Sequence, residues 1–192
     1  MRTTTTSSLT IEHALLGFIY ERPMHGYEIY QQLSSNTGLW QVWRMKQSLL
    51  YAMLTKLEGE GYLNTTLQPQ EARPPRKIYS LSDSGREAFL RWLHGPVPHG
   101  RQMRLEFLAK LYFAHRQGAD VAGNLLDQQI VTCQAWLEEM RGQGQTEKNL
   151  QNESYFSYTV QQFRLSQIEA FLAWLSVCRE ALLSAVEVDN HL

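Results

Sequence analysis

Four residues within a six-residue window, Lys46, Gln47, Ser48 and Tyr51, carry the chain's most suggestive chemistry. They open a stretch whose apolar residues, Leu50, Leu54 and Leu57, recur at helical spacing. One helix end would then present an ammonium, an amide and two hydroxyls together. A glutamine amide can pair bidentately with adenine, while serine and lysine are less selective. Lys56 lies further along the same helix. A second group, Arg73, Arg76 and Lys77, falls in and beside a proline-rich turn, where cations supply affinity for phosphate without sequence information. Each group alone reads first as a solvated helix end or a solvated loop. Together they favour contact with a nucleic acid.

The flanking elements place the two groups. A helix is predicted over residues 10–21, with Ile11, Leu15, Phe18 and Ile19 on one face. Pro23 stops it, because proline disfavours helical backbone in the residue before it. His25 closes the turn, and Gly26 permits a tight passage into a second helix over residues 27–34, with Ile29, Tyr30 and Leu33 apolar. Asn36-Thr37-Gly38 is a helix stop. A third helix over residues 47–60 is closed by Gly61. Residues 62–67 read as a strand, and Ile78, Ser80 and Leu81 belong to its partner. Residues 69–75 between them form a polar wing. Ser82 caps a fourth helix that runs to about residue 93, and Asp83 adds favourable charge there. This order is that of a winged helix-turn-helix, which places its second motif helix in the DNA major groove.

A linker with two prolines and two glycines, residues 94–100, separates this half from a helical one. Leu126, Ile130, Cys133, Leu137 and Met140 form one narrow seam; Ile168, Phe171, Leu175, Cys178 and Leu182 form another. An antiparallel hairpin turning at residues 142–145 would pair them. Trp136, Phe156, Phe163 and Trp174 remain short of partners in such a hairpin, so a homodimer is expected. The predicted fold is mainly α with a small β-wing: a winged helix-turn-helix in residues 1–93, the linker 94–100, and an antiparallel helical dimerisation domain in residues 101–192.

Composition narrows the function. The 192 residues are 43% hydrophobic and 11% aromatic, enough for a real core. A formal net charge of −1 conceals asymmetry, since residues 40–80 hold six basic and three acidic residues; a basic face matters more than the total. No apolar run approaches membrane-spanning length, and the polar threonine-rich start lacks the apolar core of a secretion signal. Cys133 and Cys178, without metal-ligand spacing, suit reduced thiols in a cytoplasmic protein. The six histidines show no paired ligand spacing, and Gly142-x-Gly144 lacks the lysine and strand of a phosphate loop. No metal, cofactor or catalytic role is therefore expected.

Three motifs resemble the PadR-like family of transcriptional regulators. They are Pro23-Met24-His25-Gly26-Tyr27-Glu28-Ile29, then Leu50-Tyr51-x-x-Leu54-x-x-Leu57-Glu58-x-x-Gly61, then Arg76-Lys77-Ile78-Tyr79-x-Leu81-x-x-x-Gly85. Residues 101–113 look like the start of the longer C-terminal domain of the virulence-activator-like branch. The chain departs from the usual pattern at Lys46 and Ala52, so base specificity does not carry over. The resemblance implies a winged-helix domain, helical dimerisation and, usually, repression relieved by a small molecule. On that basis double-stranded DNA with a pseudo-palindromic operator, a second copy of the chain and an aromatic effector are the expected partners. Trp43, Trp92, Phe107 and Tyr112, near the junction of the two halves, are the expected effector pocket. Two other readings stay open: a ligand-blind regulator or activator, and a helical protein-interaction module on a winged-helix scaffold.

Overall fold

The computed structural model describes residues 9–35, 38–70, 73–147 and 155–189. Its elements run α1 (Leu9–Glu21), β1 (Met24–His25), α2 (Gly26–Leu33), α3 (Gln47–Gly59), β2 (Leu63–Gln70), β3 (Arg73–Leu81), α4 (Asp83–Leu93), α5 (Leu108–Gln117), α6 (Ala119–Glu147) and α7 (Tyr155–Asp189). The chain is mainly helical, with a three-stranded antiparallel sheet in the order β1-β3-β2. It forms two compact units. One holds the residues up to His94 together with Arg104–Phe113, and the other holds Gly95–Met103 with the residues from Ala114 onward.

In the first unit the helical periodicities bury the faces they should. Leu15, Phe18 and Ile19 of α1, Ile29 and Leu33 of α2, and Leu50, Leu54 and Leu57 of α3 are all buried; the side chain of Ile11 lies outside the described residues. Arg104–Phe113 belongs to this unit because it supplies Phe107 and Phe113 to the same core. Phe113 meets Phe18 edge-on at 5.2 Å and Phe89 at 5.6 Å between ring centroids, a favourable aromatic arrangement. Gly17 makes room for it, since an added Cβ would lie 2.7 Å from the Phe113 ring.

The helix ends follow local chemistry. Beyond α3, Gly61 adopts a φ of +78°. Tyr62 N–H donates to Leu57 C=O at 2.9 Å and Gly61 N–H to Glu58 C=O at 3.1 Å. This pair of bonds is a Schellman motif, which a glycine accommodates without Cβ strain. Ser82 Oγ accepts from Gly85 N–H at 3.0 Å, capping α4 as expected. Gly85 also meets the α3–β2 corner so closely that a Cβ would sit 2.1 Å from the Tyr62 carbonyl oxygen.

The wing differs from the expected turn over residues 69–75. Strands β2 and β3 continue to Gln70 and from Arg73, so only residues 71 and 72, outside the described residues, separate them. The prolines sit at a register shift between the Gln68–Arg76 and Gln70–Arg73 pairs. A bulge tolerates prolines because the missing N–H groups leave no ladder bond to break. A second difference is β1: Met24 and His25 pair with Tyr79 and Ile78, so the turn before α2 is also a sheet edge.

In the second unit α6 and α7 pair antiparallel. Arg179 bonds Asp127 through two contacts at 2.8 and 3.2 Å, and Arg141 bonds Glu169 at 3.3 Å. The expected seams lie between them, with Leu126, Cys133, Ile168 and Leu175 buried and the remaining seam residues half-buried. The turn expected at residues 142–145 is corrected, because α6 continues to Glu147. A glycine inside a helix costs about 1 kcal/mol, too little to end a helix whose seam continues to Met140. Gln129, fully buried, accepts from Val97 N–H at 2.7 Å and donates to Val97 C=O at 3.3 Å. One side chain thereby satisfies both backbone groups of a buried linker residue.

Candidate nucleic-acid interface

α3 exposes what its apolar face leaves over. With Leu50, Leu54 and Leu57 inward, Gln47, Ser48, Tyr51, Ala52 and Thr55 form a continuous exposed face. Lys46 stands at the N-cap with extended backbone, φ −74° and ψ 143°, and is itself exposed. Thr55 Oγ donates to the Tyr51 carbonyl at 3.0 Å, which keeps that hydroxyl on its own helix.

Tyr51 is placed by Gly26. A Cβ on Gly26 would lie 2.7 Å from the Tyr51 ring, so α2 and α3 meet here only because the first residue of α2 has no side chain. The motif glycine thus serves close packing, since its φ is not in the positive region. His25 anchors the same corner: its Nδ1 lies 3.1 Å from the Lys77 carbonyl oxygen, and its N–H donates to Glu28 at 2.8 Å. That bond, first among several influences, holds the Glu28 carboxyl below the usual range. Arg22 reaches the same carboxylate at 3.4 Å.

These residues surround a cleft of about 380 Å³ between the start of α2, α3 and the wing, lined by His25, Tyr27, Tyr51, Arg76, Lys77 and Tyr79 among others. Tyr27 belongs to the first motif but was not among the expected DNA contacts. It is 55% exposed, and the helical phase would have found it, since two residues from buried Ile29 is about 200° around a helix. Tyr79 is buried, and burial raises its phenol above the ordinary range.

The cations divide into two kinds. Among the described residues, Lys46 and Arg76 are exposed and have no carboxylate within ion-pair distance. Lys56 and Lys77 are held at home. Lys56 pairs with Glu12 of α1 at 2.5 Å and with Glu60 at 3.7 Å, and the bond to Glu12 raises its pKa. Lys77 Nζ lies 3.0 Å from Glu58, whose other bond, at 2.7 Å, is to Thr65. The Thr65 bond and then the Lys77 bond lower the Glu58 carboxyl, the Glu58 bond raises the Lys77 ammonium, and together they tie both wing strands to α3. The side chain of Arg73 lies outside the described residues.

The four aromatic residues expected around an effector all lie in the first unit. Trp43 and Tyr112 are half-buried, Phe107 is fully buried and Trp92 nearly so. Trp92 stacks on His13 at 5.5 Å and donates from Nε1 to Glu106 at 3.1 Å. Lys110 is buried over the same indole, 5.5 Å from its centroid, and burial lowers its pKa to about 8. Among the described residues there is no cluster of three or more potential metal ligands, and no helix is long and apolar enough to cross a membrane.

An α2–α3 pair with an exposed, polar N-terminal half of α3, flanked by a β-hairpin, defines a winged helix-turn-helix protein. Two family models match the chain. Residues 15–91 match the model of the transcriptional regulator PadR-like family, and residues 103–182 match that of the virulence activator alpha C-terminal domain. The chain belongs to the PadR-like family of transcriptional regulators. The negative transcriptional regulator PadR of Bacillus subtilis is 28% identical over 189 residues, covering 93% of this chain and 98% of that one. A crystal structure of B. subtilis PadR with operator DNA aligns with a TM-score of 0.42 at 25% identity, over 90% of this chain and 98% of that one. Another, with p-coumaric acid, aligns at 0.39 and 24%, over 93% and 98%.

Proposed function

We propose that the chain is a homodimeric transcriptional repressor that binds a pseudo-palindromic DNA operator and leaves it when a small aromatic molecule binds. The observation that carries the DNA part is the exposed α3 face beside a wing cation, Arg76, that has no carboxylate partner among the described residues. Lys46 and Arg76 reach phosphates, with Ser48, Tyr51 and Lys77 beside them, while Gln47 faces base edges. Lys56 and Arg73 sit at the two margins of this set. Tyr27 joins it from the start of α2, exposed at the same cleft.

Repression is the reading that the B. subtilis relative's name supports. The aromatic effector follows that same protein, which has been solved with p-coumaric acid. Dimerisation is supported by the outer surface of α7, where Tyr155, Phe156, Tyr158, Phe163 and Val177 are exposed. So much apolar surface on one helix marks an interface, and a twofold dimer would set two recognition helices roughly 34–36 Å apart, one turn of DNA.

A salt titration tests the proposal. Binding through several phosphates weakens steeply as salt rises, because each neutralised phosphate releases counterion. A protein-interaction module on the same scaffold would show no salt-sensitive affinity for duplex DNA.

A further inference from the structure

The second unit contains a larger cleft, of about 560 Å³, bounded by α6, α7 and the short turn at residues 98–101. Its apolar lining comes from Trp136, Met140, Ile168 and Phe171. Arg101 and Arg164 also line it, from the turn and from α7, together with one carboxylate, Glu139. The turn lies close to the aromatic wall: a Cβ at Gly100 would stand in ordinary contact, 3.4 Å, with the Phe171 ring.

The two arginines set this cleft apart from the rest of the helix pair. Elsewhere α6 and α7 spend their guanidiniums on each other's carboxylates, Arg141 on Glu169 and Arg179 on Asp127. Among the described residues Arg101 and Arg164 have no such partner. Two guanidiniums against one carboxylate leave a single excess positive charge over a wall of two aromatic rings. His99 and Gln167 add neutral polar groups to the lining, and apolar walls with a few placed polar groups around a few hundred cubic ångströms are the make-up of a ligand site. A guanidinium suits a carboxylate because its fork of N–H donors matches the two oxygens.

We propose that this cleft is a binding site for a small aromatic monocarboxylate, its ring against Trp136 and Phe171 and its carboxylate on Arg101 and Arg164. The site lies wholly within the helical unit, and none of Trp43, Trp92, Phe107 and Tyr112 lines it. The turn that forms one wall is also part of Gly95–Met103, which the chain follows immediately with Arg104–Phe113 of the winged-helix unit. Occupancy would reach DNA affinity only by favouring one arrangement of that joint over another. In that respect the inference deepens the ligand-responsive part of the proposed function and rests on it; the binding itself does not.

Isothermal titration of the full chain with 2-naphthoate, and with uncharged 2-naphthamide, tests the site. One naphthoate per chain is expected, with the amide weaker by about tenfold or more, as for a lost charge-assisted hydrogen bond. Arg101→Gln and Arg164→Gln should each weaken naphthoate by a similar factor, whereas Arg104→Gln, outside the cleft, should leave it unchanged. Trp136→Phe should remove part of the fluorescence change on binding. Absence of naphthoate binding, equal affinity for the amide, or full affinity in the Arg101→Gln/Arg164→Gln double variant would overturn the proposal; a cleft filled by a second copy of the chain gives the first of these. Salt-dependent DNA binding measured on the same preparations separates this failure from failure of the regulator reading.

Discussion

Gly26→Ala is a small change with a calculable consequence. The new methyl would lie 2.7 and 3.2 Å from two Tyr51 ring atoms and 3.3 Å from Leu54 Cδ1. Leu54 is fully buried and cannot yield, whereas Tyr51 is 39% exposed and can swing outward. Overpacking costs about 1–3 kcal/mol. Replacing glycine in a helix returns at most about 1 kcal/mol, and less at the first position of α2. A net destabilisation of about 1 kcal/mol is expected. The displaced ring also leaves its place on the DNA-facing side, so affinity should fall by about tenfold, the worth of one hydrogen bond to a charged group. Urea unfolding at a fixed protomer concentration, with fluorescence anisotropy on a labelled duplex, reads both effects. The decisive control is the Tyr51→Ala background. There the methyl meets no ring, and Gly26→Ala should become neutral or slightly stabilising, giving a coupling of about 1 kcal/mol. A stabilised single variant, or coupling below about 0.3 kcal/mol, would refute the role assigned to Gly26.

The remaining expectations test separate parts of the molecule. Gln129→Leu should cost about 1–3 kcal/mol in thermal or chemical unfolding, because it strands the buried N–H and C=O of Val97; an unchanged melting temperature would contradict this. The folded-state pKa of Glu58 is lowered, so its stabilising contribution is present above its unfolded value of about 4.3 and is lost as pH falls through the folded value. Glu58→Gln should accordingly flatten stability on the acid side of pH 4 to 5. Lys110 titrates near 8 in the folded chain against about 10.4 unfolded. The unfolded chain then binds more protons between those values, so stability should rise with pH across that window, and Lys110→Met should abolish the rise.

Much of the architecture was legible in the residues, because periodicity and end signals are local. Leu50, Leu54 and Leu57 fixed which side of α3 would face out, and Ser82 and Gly61 marked real helix boundaries. The wing was legible as a hairpin but not in its reach, since proline usually announces a turn and only the register shift opposite Pro69 shows how the strands absorb it. Gly142 misled for a related reason: a glycine inside a long helix costs less than the packing on either side supplies. The cation assignments depended on tertiary partners that no local pattern reveals. Glu12 is 44 residues from Lys56 and Glu58 is 19 from Lys77, so equal charges in the sequence became unequal charges in space. Gly26 is similar, its partner ring lying on the next helix.

The proposal that α3 and the wing hold DNA is tested most directly by the salt dependence of affinity for a duplex selected from a random library. Wild-type protein should lose affinity linearly on a logarithmic salt scale, and Lys46→Ala and Arg76→Ala should each reduce that slope by about one. Gln47→Ala should leave the slope alone and change which sequences are preferred. An affinity and slope unchanged when Lys46, Arg76 and Lys77 are all replaced by alanine would contradict it.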